Sequence, residues 1–252
     1  MSASDLLADG SNVLRTLSRP STGLASLSGR PRLAVALALS TAAALLSAAL
    51  VIPRTDYGRA AAPPEVDASG QPPPEPTEYE QEQGAITARK LGQLGDWAGA
   101  AFLPSLLAAG AAGALLVGFR VAGARTAFRP ALSVTAHGMV PIWVARLLAV
   151  PAALARAPVP HAEVSGLLPS SPAALLGPDA PPALAGALGG LDLFALWAVW
   201  LVALGMARVT GASRARAIAT TAVLYLAWVA VFRVALPALV VGRPGGPGAG
   251  PP

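Results

Sequence analysis

Cysteine is absent from the 252-residue chain, which excludes disulfides, thiolate catalysis and cysteine-based zinc or iron–sulfur sites. Histidine is nearly absent as well: His137 and His161 are too few for a histidine-dominated metal centre. Charge is scarce, at 12% of residues against roughly 25% in soluble domains. That is too little to cover the surface of a soluble domain of this size. No P-loop, G-x-G-x-x-G, H-E-x-x-H or G-x-S-x-G pattern occurs. The serines and threonines have no histidine or acidic partner at an interpretable spacing. Enzyme, metal and cofactor readings therefore have no basis in the sequence.

What is present is apolar sequence, 54% of the chain, in runs too long for soluble core helices. A membrane-spanning helix needs about 20 mainly apolar residues. Five stretches qualify, at about 33–52, 97–119, 134–155, 191–209 and 217–241. The first is free of charge and closed by Pro53; its length and the polar tail before it predict an uncleaved anchor and not a cleaved signal. The third carries His137, Pro141, Arg146 and Pro151, which predicts a kinked or broken helix. The fold class expected is an all-α polytopic bundle of five helices. Residues 1–32 form a juxtamembrane segment, 33–241 the transmembrane domain and 242–252 a disordered tail. Between the first two spans, about 54–77 with its PP and PPP runs reads as a disordered linker. Glu78 to Trp97 has helical periodicity and reads as an amphipathic lead-in lying along the interface.

The excess of basic over acidic residues, net +5, does not point to nucleic acid. The arginines flank apolar runs and are not interleaved with aromatics. They set an orientation instead. Arg15, Arg19, Arg30, Arg32, Arg120, Arg125, Arg129, Arg208, Arg214 and Arg216 fall on one side. Arg54, Arg59, Arg89, Lys90, Arg156 and Arg243 fall on the other, beside eight acids of the first loop. The bias predicts a cytoplasmic N-terminus, an outer C-terminus and an odd number of spans.

Small residues recur every fourth position: Ala36, Ser40, Ala44 and Ala48 in the first span, and Gly110, Ala114 and Gly118 in the second. Such faces let helices approach closely in lipid, where hydrophobic drive is missing. Ionisable residues inside spans are costly and so more informative. Arg146 lies ~18 Å along its helix from Val134, and Arg233 ~24 Å from Ala217. Asp96 and Asp192 begin the second and fourth spans, so all four are expected near the outer boundary as a candidate polar cluster. The competing reading is that the two arginines snorkel to the interface. His137 reads as an interfacial histidine at the opposite end.

The stretch LDLFALWAVWLVALGMARVTGASRARAIATTAV resembles the fourth-to-fifth span region of the Yip domain family of five-span membrane proteins. A D-x-F-x-x-W start, a glycine turn and a basic S-R-x-x-A lead-in correspond to Asp192, Phe194, Trp197, Gly205, Gly211, Ser213, Arg214 and Ala217. VLRTLSRPSTGLASLSGRPRL is similar to the family's juxtamembrane lead-in. FRPALSVTAHGMVPIWVARLL resembles its polar, proline-containing third span through Phe128, Ala131, Leu132 and Pro141. The resemblance implies five helices and a cytoplasmic N-terminus; it carries no catalytic residues. Eukaryotic members are associated with Rab-type GTPases, whereas this chain has a short N-terminal tail, a long Pro/Glu-rich first loop and a bacterial-type composition. The function expected is non-enzymatic membrane organisation or scaffolding in a bacterial inner membrane, through lipid contact and membrane-protein partners or self-association. The alternative is a transport or channel-like component using the polar third span.

Overall fold

The computed structural model describes residues 3–20, 22–24, 33–58, 77–156, 158–177 and 180–241. Of the linker read as disordered, about 54–77, residues 59–76 lie outside the described residues, as does the tail from 242; the linker's ends are ordered, with Arg54 in a 3-10 turn, Thr55–Asp56 in a short strand and Thr77 capping a helix. Among the described residues five helices are long and apolar enough to cross a membrane: Ala34–Arg54, Glu78–Val121, Phe128–Leu154, Leu193–Thr210 and Arg214–Leu239. The protein is a multi-pass membrane protein with an all-α bundle. An additional helix, α1 (Ala3–Ser18), precedes the spans and packs against the first and third of them.

The first span, α2 (Ala34–Val51), has no charged side chain and passes through a 3-10 turn, Ile52–Arg54, at Pro53. The second, α3 (Glu78–Val121), is one helix of 44 residues, about 66 Å at 1.5 Å per residue. That is twice the ~30 Å hydrocarbon thickness of a bilayer. The stretch from Glu78 to Trp97, expected to lie along the interface, instead continues the span's own axis as the same unbroken helix. Its start is locked by a capping box, in which the Glu80 N–H donates to Thr77 Oγ1 and the Thr77 N–H to Glu80 Oε2 at 2.8 Å.

The third span is two helices, α4 (Phe128–Gly138) and α5 (Val140–Leu154), with a turn at Met139. Pro141 brings no N–H to the His137 carbonyl four residues back, so the α-helical ladder is interrupted there. A short helix, α6 (Pro182–Gly190), leads into the fourth span, α7 (Leu193–Thr210). The fifth is α8 (Arg214–Trp228), a π-helical segment Val229–Ala235, and α9 (Leu236–Val241).

The core is built on alanine and glycine. Ala36 shares a buried cluster with Ala108, and Ala44 with Ala100, so the small face of α2 meets a small face of α3 running antiparallel to it. Ser40 lies buried between them. The buried small residues of α3 along this side are Ala100, Pro104 and Ala108, and Ala112 continues the row into the cluster with α4, α7 and α8. Gly110 and Ala114 are exposed on the helix's other side, and Gly118 packs against Leu224 of α8. The largest buried cluster joins α3, α4, α7 and α8 through Phe119, Val134, Val202, Met206 and Ala217. His137 is fully buried inside the protein, with Nδ1 2.9 Å from the Ser133 carbonyl.

Candidate functional site

Polar side chains gather at the end of the bundle remote from α1, in two hydrogen-bonded networks. The first is centred on Asp96 of α3. Its Oδ2 accepts from the Tyr57 hydroxyl at 2.6 Å, and its Oδ1 lies 3.3 Å from His161 Nε2. The Tyr57 and His161 rings are 5.2 Å apart and tilted by 31°.

Each partner is delivered by local structure. Residues Thr55–Asp56 and Val159–Pro160 form a two-residue parallel strand pair, Thr55 opposite Val159. The pair ties the end of the first span to the segment following the third and brings Tyr57 and His161 together. Tyr57 is buried against the helix at Gly92, where an added Cβ would collide with its ring. Burial, and then the bond to Asp96, hold the Tyr57 phenol well above its ordinary value. Arg146 of α5 places its guanidinium 5.4 Å from the centre of the Trp143 ring. Its backbone carbonyl accepts from Ser47 of the first span at 3.3 Å.

The second network is centred on Asp192, the N-cap of α7. Its Oδ1 accepts the N–H groups of Phe194 and Ala195 at 2.9 and 3.0 Å, satisfying two donors of the first helical turn. Its Oδ2 accepts from the Ser170 hydroxyl, and the Ser170 carbonyl accepts the Leu193 N–H at 2.9 Å. Nearby, the Tyr225 hydroxyl of α8 donates to the Gly190 carbonyl. Arg233 lies in the π segment where the glycines of α6 dock: a Cβ on Gly186 would strike the Arg233 carbonyl, and one on Gly189 would sit 2.9 Å from its Nη2.

Asp96 and Asp192 thus centre two separate networks, and among the described residues the side chains of Arg146 and Arg233 make no ion pair with either. Tyr57, His161, Ser170 and Tyr225 complete the networks, and sequence spacing gave no sign of them, because each partner comes from a different element. Among the described residues no cluster of His, Asp or Glu is placed to hold a metal. The chemistry performed by these contacts is tethering: they bind the loops of one face to the ends of the spans.

The arrangement around the fourth and fifth spans also gives three motif residues a physical role. Asp192 caps one helix, Gly211 ends it in the left-handed conformation at φ +70°, and Ser213 caps the next by accepting the Arg216 N–H at 3.3 Å. The family model of the Yip1 domain matches residues 14–236, most of the chain. Comparison with curated proteins and with solved structures returned no match.

Proposed function

The chain belongs to the Yip1 domain family, and from that premise we propose that it organises its membrane through helix packing and protein partners, without catalysing a reaction. The observation that carries this reading is the outward face of the fifth span. Val223, Leu226, Phe232 and Leu239 are all more than half exposed, and Trp228 stacks with Tyr225 and Phe232 along the same helix. In a bilayer such a face meets lipid or another membrane helix, and stacked aromatics offer a rigid surface to the latter. The protein's basic end, with Arg120, Arg125, Arg129, Arg208, Arg214 and Arg216, faces the cytoplasm by the charge rule.

The cysteine-free chain makes the test direct. Single substitutions V223C, L226C and F232C, cross-linked in native membranes with a bifunctional maleimide, are expected to yield adducts with a second polypeptide. If all three positions return only the uncrosslinked protein, the scaffold reading fails.

A further inference from the structure

We propose that the cleft where α3 turns into α4 is a binding site for an anionic phospholipid. The headgroup phosphate is held by Arg120 and Arg125, and an acyl chain lies along Leu116, Val117 and Phe128. The cleft has a volume of about 380 Å³ and is walled by those residues together with Gly113, Thr126 and Ala127.

Its chemistry is divided in the way a lipid is divided. The walls from Gly113 to Val117 belong to the apolar stretch of a membrane span, whereas Arg120 and Arg125 stand at the end of that span. Between the two arginines the chain reverses tightly. Gly123 adopts φ +79°, and the Ala124 N–H donates back to the Phe119 carbonyl at 2.8 Å. The reversal places both guanidinium-bearing residues on one rim. Gly113 opens the opposite wall, for a Cβ there would meet nothing within 4 Å.

Charge selects the occupant. The two short loops at this end, 120–129 and 208–216, contain six arginines and no acid. Among the described residues neither Arg120 nor Arg125 is paired with a carboxylate. Both guanidinium groups are exposed at the cleft and open to an external anion. The N-terminus of α4 opens on the same cleft, and its N-cap Ala127 supplies no side-chain acceptor to the first-turn N–H groups. Free N–H groups and the positive helix end favour a phosphate. A basic pocket between spans, at the level where anionic headgroups lie, fits a phospholipid better than a free anion.

The test uses the full chain in mild detergent, titrated with phosphatidylglycerol and with phosphatidylcholine, bound lipid being counted by native mass spectrometry. Glycerol phosphate serves as a headgroup without chains. Phosphatidylglycerol is expected to bind at least about tenfold more tightly than phosphatidylcholine, given two arginines at the phosphate. The double variant R120Q/R125Q is expected to lose that preference. G113F, which fills the apolar wall and leaves every charge in place, is expected to weaken phosphatidylglycerol binding with little change in unfolding temperature. R208Q/R214Q, on the neighbouring loop, is expected to bind as the parent does. Equal binding of the two lipids would overturn the proposal. So would tight glycerol phosphate binding with G113F indifferent, which would mean a phosphate site without a lipid. If R120Q/R125Q does not fold, the lipid comparison and G113F still decide the question.

Discussion

Gly138 of α4 and Gly205 of α7 each receive a valine from the opposing helix. A Cβ on Gly138 would lie 2.5 Å from Val202 Cγ2 and 3.1 Å from the Val202 backbone nitrogen, and one on Gly205 would meet the Val134 side chain. Because backbone stands behind the side chain at Gly138, the collision cannot be relieved by a rotamer change alone. Overpacking of this kind costs about 1–3 kcal/mol, so Gly138→Ala is expected to lower the unfolding temperature in detergent. Gly110→Ala is the matched control. Its Cβ meets nothing within 4 Å, and the exchange removes a helix penalty of about 1 kcal/mol, so stability is expected to hold or rise. Equal losses in the two variants would refute the close approach of α4 and α7. Tyr57 gives a pH signature at the same scale. With the folded phenol held above its ordinary value, both states keep the proton below pH ~10. Above that the unfolded chain releases it first, so stability falls as pH rises. Unfolding temperatures from pH 8 to 11 are expected to decline more steeply in the parent than in Tyr57→Phe; parallel curves would show that the phenol is not buried as described.

At the scale of elements, helix ends do much of the positioning. Asp192 satisfies two N–H groups of α7 and also anchors Ser170 from the preceding loop. Replacing an N-cap aspartate with alanine typically costs about 0.5–2 kcal/mol. Asp192→Ala is expected to destabilise the bundle by at least that much, while Asp192→Asn keeps an acceptor oxygen and loses less. Protease access to the loop between α5 and α6 should rise in the alanine variant, because Ser170 is released with the cap; an unchanged digestion pattern would separate the loop from the cap. The length of α3 is likewise set at its end. The Thr77–Glu80 capping box is present in the sequence as T-x-x-E, and it starts at Glu78 a helix that runs without interruption into the span, where the lead-in was expected to lie along the interface. The break at Met139 is the counterpart, an interruption that follows from the missing N–H of Pro141.

Over the whole molecule, five spans put the two ends of the described chain on opposite sides of the bundle. The orientation proposed from the charge rule puts the basic end in the cytoplasm and can be tested directly. With no native cysteine to interfere, an impermeant maleimide applied to intact cells is expected to label Leu175→Cys, a highly exposed position, and to spare Ala215→Cys at the basic end. The reverse pattern would invert the orientation and place the Arg120–Arg125 cleft in the outer leaflet. Membership of the Yip1 domain family, the number of spans and the α-helical class were all legible in the sequence. Apolar length is a local property, and lipid enforces helix wherever it is long enough. The small face of α2 was legible for the same reason, since every fourth residue must share a side.

Contacts between elements were not legible. Asp96 finds Tyr57 and His161 across 39 and 65 residues of chain, and no local pattern encodes such a meeting. In α3 small residues occur on more than one face, and only the approach of the neighbouring helices decided that Ala100, Ala108 and Ala112 would be covered and Gly110 and Ala114 left outside. His137 is fully buried, a property of the packing around α4 that its place in the sequence did not reveal. The sequence alone determined which segments enter the membrane, where their ends are capped and which end is basic, because those depend on neighbours in the chain. Which faces touch, and which polar groups meet, was decided only by tertiary packing, because it depends on how several Ala-rich helices share one small core.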